Sequence, residues 1–117
     1  MTQALLFVPD LFFAPRIADA LKHMGIAARE PRRDVELSTA LTGVDLLVVQ
    51  LEGPREGWLA AIGAARAAGV PVLAFGRHTE AETLRAARQA GAAKVVPNSQ
   101  LVSDLPQLVR ELISVEP

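Results

Sequence analysis

The sequence contains no cysteine. Disulfides, thiolate metal sites and cysteine nucleophiles are therefore excluded. Lysine is scarce: Lys22 and Lys94 are the only two, and arginine supplies the rest of the basic charge. No apolar run approaches the length of a membrane span. The opening Met1-Thr2-Gln3 lacks the basic flank and apolar stretch of a signal peptide, so the expectation is a cytoplasmic protein with no membrane partner. A formal net charge of −1 argues against a general nucleic-acid binder. The phosphate-cradling patterns G-x-G-x-x-G and G-x-x-x-x-G-K-S/T are both missing, as is the G-x-S-x-G nucleophile elbow. Nucleotide, flavin and serine-nucleophile chemistry in their usual forms are not expected. No nucleophile–base pair can be named, so the chain reads as a non-enzyme with no cofactor and no metal.

What the sequence does have is a regular alternation. Its 117 residues suit one domain, residues 1–117. The apolar runs Ala4–Val8, Ile26–Ala28, Leu46–Val49, Val70–Phe75 and Lys94–Val96 read as strands. Leu46–Val49 is apolar on both faces, as a buried parallel strand requires. Between them lie helical patterns. Ile17, Leu21 and Met24 form one stripe, and Gly25 stops it. A short helix is expected from Val35 to Leu41, ending at Gly43. Trp58, Leu59 and Ile62 mark a helix from about Glu56 to Ala68, closed by Gly69. Thr79-Glu80-Ala81-Glu82 has capping-box spacing and is expected to open a fourth helix running to Gly91. Ser103 or Asp104 is expected to cap a fifth, with Leu105, Leu108, Leu112 and Ile113 inward. Five strands alternating with five helices imply an α/β fold: one doubly wound parallel sheet, flavodoxin-like order 2-1-3-4-5, helices on both faces. Ligands in such sheets sit at the carboxyl ends of the strands. The loops to search therefore begin at Pro9, Gln50, Gly76 and Pro97.

Several segments resemble response-regulator receiver domains. Val70-Pro71-Val72-Leu73, followed by Leu84-Arg85-Ala86-Ala87-Arg88-Gln89-Ala90-Gly91-Ala92, is similar to the family's strand four through helix four. Val44 to Pro54 resembles its strand-three motif, and Leu6-Phe7-Val8-Pro9-Asp10 with Arg16-Ile17 its first strand and helix. The resemblance spans nearly the whole chain and implies a signalling domain of the single-domain, chemotaxis-type fold. It also shows what is missing. Receivers hold Mg²⁺ with an acidic pair after strand one; here Pro9 and Asp10 stand there. The phosphoacceptor aspartate is replaced by Gln50, the hydroxyl residue after strand four by Gly76, and the lysine after strand five by Asn98. An amide is not a phosphoacceptor. The resemblance therefore implies a degenerate, non-phosphorylatable pseudo-receiver acting through protein contact or self-association.

The individual residues keep open alternatives at this point. Asp10 is either a remnant metal ligand or a cap for the next helix. Gln50 either hydrogen-bonds within the vacated pocket or fills it. Glu52 reads as a solvated loop carboxylate. Arg77 and His78 stand at the pocket mouth, where a solvated pair and an anion site are the two readings. Asp10, Gln50, Glu52, Gly76, Arg77, His78 and Asn98 together define a candidate ligand pocket, and a small-molecule or anion-binding domain is the alternative function. Phe12 and Phe13 exceed what one helix start needs to bury; one is expected inward over the vacated pocket, the other exposed or covering it. By the resemblance, helix four, strand five and helix five form the contact face, with Arg85, Arg88, Lys94 and Arg110 on or near it. The partner is unnamed; a weak homodimer or a heterotypic contact is expected there.

Overall fold

The computed structural model describes residues 1–114. Ten elements follow one another as β1 (Gln3–Phe7), α1 (Phe13–His23), β2 (Ala27–Arg29), α2 (Leu37–Ala40), β3 (Leu46–Gln50), α3 (Arg55–Ala67), β4 (Val72–Gly76), α4 (Ala81–Ala90), β5 (Lys94–Pro97) and α5 (Asn98–Leu112). The five strands form one sheet in the order β2-β1-β3-β4-β5, and every pairing is parallel. This is the flavodoxin-like order expected from the alternation.

Side-chain alternation along the strands divides the core in two. Leu46, Val48, Leu73 and Phe75 meet α1 and α5, through Ile17 and Leu21 on one helix and Leu101, Leu105 and Leu108 on the other. Leu47, Val49, Val72 and Ala74 meet α3 and α4, through Trp58, Ile62, Leu84 and Ala87. All five residues of β3 and all five of β4 are buried, as expected for central strands covered on both faces. Burial of each large apolar side chain contributes about 1.5–3 kcal/mol, so these two layers carry the fold.

Two helix starts differ from expectation. The fourth helix opens at Ala81 after Glu80, and no side chain caps it, so Thr79 does not complete a capping box. The backbone closes that turn itself, with Glu80 N–H donating to the Arg77 carbonyl. The fifth helix begins at Asn98, six residues before Asp104 is reached. Leu101, 1% exposed, anchors this leading turn to the core. Asp104 breaks the helix with φ −121° and ψ 16°, two residues before Pro106. Proline lacks an N–H and crowds the carbonyl four residues back, which explains the break. Ser103 and Asp104 thus mark a kink within the element rather than its start. The second helix is also shorter than expected, and Ile26 is buried at the approach to β2 rather than within it.

Candidate functional site

The carboxyl ends of β1, β3, β4 and β5 bring Asp10, Gln50, Gly76 and Asn98 to one end of the sheet. Gln50, the last residue of β3, is 3% exposed and is the buried polar side chain among the described residues. Its Oε1 accepts the backbone N–H of Asp10 at 3.0 Å. The amide therefore links the end of β3 to the loop leaving β1. Gln50 is a hydrogen-bonded part of the structure, and the bond uses the acceptor that faces the loop.

Asp10 turns its carboxylate to its own loop. Its Oδ1 accepts the Phe12 N–H at 2.7 Å, and its carbonyl accepts the N–H groups of Phe13 and Ala14, each at 3.1 Å. These are the orphan donors that open a helix, so Asp10 does the work of a cap for α1. A hard divalent cation wants several oxygen ligands. Asp10 Oδ1 and Gln50 Oε1 are both occupied by N–H donors, and Pro9 supplies no carboxylate. Among the described residues no group of at least three His, Cys, Asp or Glu side chains converges as a metal cluster would. The residues at this end of the sheet do not fit the Mg²⁺ of receiver domains.

Gly76 ends β4 where space is short. A Cβ there would lie 3.2 Å from Leu51 Cβ and 3.3 Å from Leu84 Cδ2. Both neighbours are buried core residues, so apolar side chains occupy the space that a larger residue at this position would need. Asn98 begins α5, and its Oδ1 is buried without a hydrogen-bond partner.

Glu52, Arg77 and His78 stand further out. Arg77 Nε lies 3.6 Å from Glu52 Oε2, and both side chains are well exposed. His78 is exposed on the same loop. Arg77 lines a cleft of about 290 Å³ between the β3–α3 and β4–α4 loops, together with Glu52, Arg55, Trp58, Glu80 and Thr83. Sequence reasoning did not single out Arg55, Glu80 or Thr83. The available signal was positional: Arg55 opens a helix at the carboxyl end of a strand, and Glu80 precedes another.

Phe13 is half-buried, with its ring edge-on to Phe75 at 5.5 Å. Phe12 is 63% exposed, and the Arg16 guanidinium lies 4.8 Å from its ring centre. Leu11 beside it is 84% exposed. On the opposite edge of the sheet, Arg85, Arg88 and Arg110 point to solvent. Lys94 is only partly exposed, and its Nζ meets Glu111 Oε1 at 2.7 Å. That hydrogen bond, with one from Gln107 and the Lys94 charge, holds the Glu111 carboxyl below its ordinary range. Lys94 is thereby committed to a contact inside the fold.

No protein-family model matches the chain. A 63-residue stretch, 50% of the chain, is 51% identical to a phosphoribosyl imidazole-4-carboxamide isomerase of Rubrobacter xylanophilus. The chain spans 26% of the length of that curated relative. Among solved structures, a response regulator of Thermotoga maritima superimposes with a TM-score of 0.77 at 19% identity, covering 97% of this chain and 98% of that one. The receiver domain of the Francisella response regulator 1452 gives 0.72 at 16% identity, covering 96% of each chain. An orphan response regulator of H. pylori gives 0.71 at 16% identity, over 96% of this chain and 97% of that one. The chain has the fold of response-regulator receiver domains over nearly its whole length.

Proposed function

We propose that this chain is a non-phosphorylatable pseudo-receiver, a cytoplasmic binding module that acts by contacting another protein or a second copy of itself, and not an enzyme. One observation carries the reading. The residue at the end of β3 is a buried neutral amide whose oxygen is already bonded to the Asp10 N–H. Phosphoryl transfer to a receiver needs a carboxylate nucleophile, a cation to neutralise developing charge, and donors that hold the product. Gln50 provides no nucleophile, Asp10 is turned to Phe12, and Gly76 and Asn98 carry neither a hydroxyl nor a cation.

The test is incubation with acetyl phosphate and Mg²⁺, followed by intact mass measurement in mild acid. No mass increase is expected. Gln50→Asp is the stricter control. It restores the nucleophile alone, and because such groups act as a unit it should label poorly or not at all. Gain of one phosphoryl group on an aspartate of the unaltered chain would overturn the reading. The contact surface belongs to the same proposal. The α4–β5–α5 edge carries exposed Arg85, Arg88 and Arg110 around a four-residue edge strand. Light scattering at high micromolar concentration should show self-association that Arg88→Glu weakens. A monomer throughout would sink the homodimer form.

A further inference from the structure

The cleft between the β3–α3 and β4–α4 loops neighbours the Gln50–Asp10 pair but is lined by neither residue, and its lining is of a different kind. Two guanidinium groups, from Arg55 and Arg77, face the same space of about 290 Å³. Both are loosely engaged. Arg77 meets Glu52 at 3.6 Å in an exposed pair, an arrangement worth little in water. Arg55 lies over the Trp58 ring at 5.8 Å, near the outer limit of a cation–π contact. The backbone adds donors. α3 and α4 both begin at this cleft, and neither has a side-chain cap. The Gly57 N–H already donates to the Pro54 carbonyl, and the earlier N–H groups of the two first turns are left for solvent or a ligand.

We propose that this cleft binds a small phosphate monoester. Two guanidiniums supply more donors than a planar carboxylate can use, whereas a tetrahedral dianion offers three acceptor oxygens at once. Arginine suits the task because its planar fork bonds phosphate in bidentate fashion. The remaining lining selects against bare phosphate. Glu80 and Thr83 offer acceptors to hydroxyl groups on the organic part of the ester, over an apolar floor of Leu51. Glu52 competes with the ligand for Arg77, so it sets a modest affinity that its removal should improve.

The experiment is a titration of the full chain with glycerol phosphate, inorganic phosphate and glycerol, followed by backbone amide NMR shifts at low ionic strength. Saturable shifts are expected in Arg55, Arg77 and Thr83, with glycerol phosphate binding tighter than phosphate and glycerol not binding. Arg77→Ala and Arg55→Ala should each weaken binding by roughly tenfold or more, the loss of one charged hydrogen-bonding group. Arg77→Lys keeps the charge without the fork and should be intermediate. Glu52→Gln should tighten binding, an effect that damage to the fold would not produce. No saturable shift at millimolar ligand would overturn the proposal, as would shifts centred on Asp10, Gln50 and Asn98, or binding indifferent to Arg77→Ala.

Discussion

Changing Gln50 to Glu alters one atom group and one charge, and it tests whether the strand-end site can hold a carboxylate at all. Gln50 is 3% exposed, and among the described residues no lysine, arginine or histidine side chain bonds to it. A glutamate there keeps an oxygen for the Asp10 N–H at nearly the same place. It also buries a negative charge close to the Asp10 carboxylate. Burial and a like charge both raise a carboxyl pKa, by up to about 3–5 units in the most buried sites. The retained N–H bond favours the charged form and offsets part of this, leaving a rise of roughly 2–3 units. At about 1.4 kcal/mol per unit, the variant should lose roughly 3–4 kcal/mol of stability near neutral pH. The sign of the pH dependence follows. A folded-state pKa raised above the unfolded value of about 4.3 leaves stability intact below that value. Stability then falls as pH rises toward the folded pKa, and the full loss holds above it. Urea unfolding of both proteins near neutral pH and near about pH 4 measures the gap, which should be wide at the first and close at the second. A variant as stable as the parent near neutral pH would mean that a cation reaches this site, and the case for a non-phosphorylatable pocket would fail with it.

Three other perturbations test neighbouring parts of the structure. Gly76→Thr adds a hydroxyl at the end of β4 but drives a Cβ against Leu51 and Leu84, so thermal unfolding should report overpacking of about 1–3 kcal/mol. Gly91→Ala should cost about 1–2 kcal/mol by the same measurement, because φ is +112° and the new Cβ would lie 2.7 Å from Arg66 Cδ. Lys94→Met should move the Glu111 titration, followed by side-chain carboxyl NMR, upward toward the ordinary glutamate range, with the Gln107 hydrogen bond still holding part of the shift. In the unaltered chain the lowered pKa means that the Lys94–Glu111 contact contributes above the usual glutamate pKa and is lost as pH falls through the lowered value. A Glu111 midpoint indifferent to Lys94 would discredit that pairing.

The fold was legible because its signals are local and redundant. A run such as Leu46–Val49 can only be a buried strand when it is this short and lies between glycine-stopped helical patterns. Where the signal was a single residue type, it misled. Thr79 and Glu82 have the spacing of a capping box, yet the backbone bond from Glu80 to Arg77 closes the turn first. Ser103 and Asp104 look like a helix start before Pro106, yet Leu101 draws the preceding turn onto the core and makes them an interior kink. In each case a contact distant from the motif, or a backbone bond with no side-chain signature, decided the outcome.

The site divides along the same line. Which residue types stand at the strand ends follows from the order of the chain, and the presence of Gln50, Gly76 and Asn98 where the receiver resemblance implies acidic, hydroxyl and basic residues can be read directly. The direction each group faces cannot. The Asp10 carboxylate has two kinds of partner to accept, the loop N–H donors or a cation beyond them, and the Phe12 N–H donates to it at 2.7 Å. That choice frees the Asp10 N–H to face β3, where a side chain one methylene longer than aspartate meets it. Gln50 and Asp10 therefore explain each other. With Asp10 turned to its own helix and Glu52 beside Arg77, a neutral acceptor at position 50 costs less than a charged one. Arg77 follows by the same reasoning: with no anionic centre at Gln50 to draw it inward, its guanidinium is found with Glu52, on the wall of the neighbouring cleft.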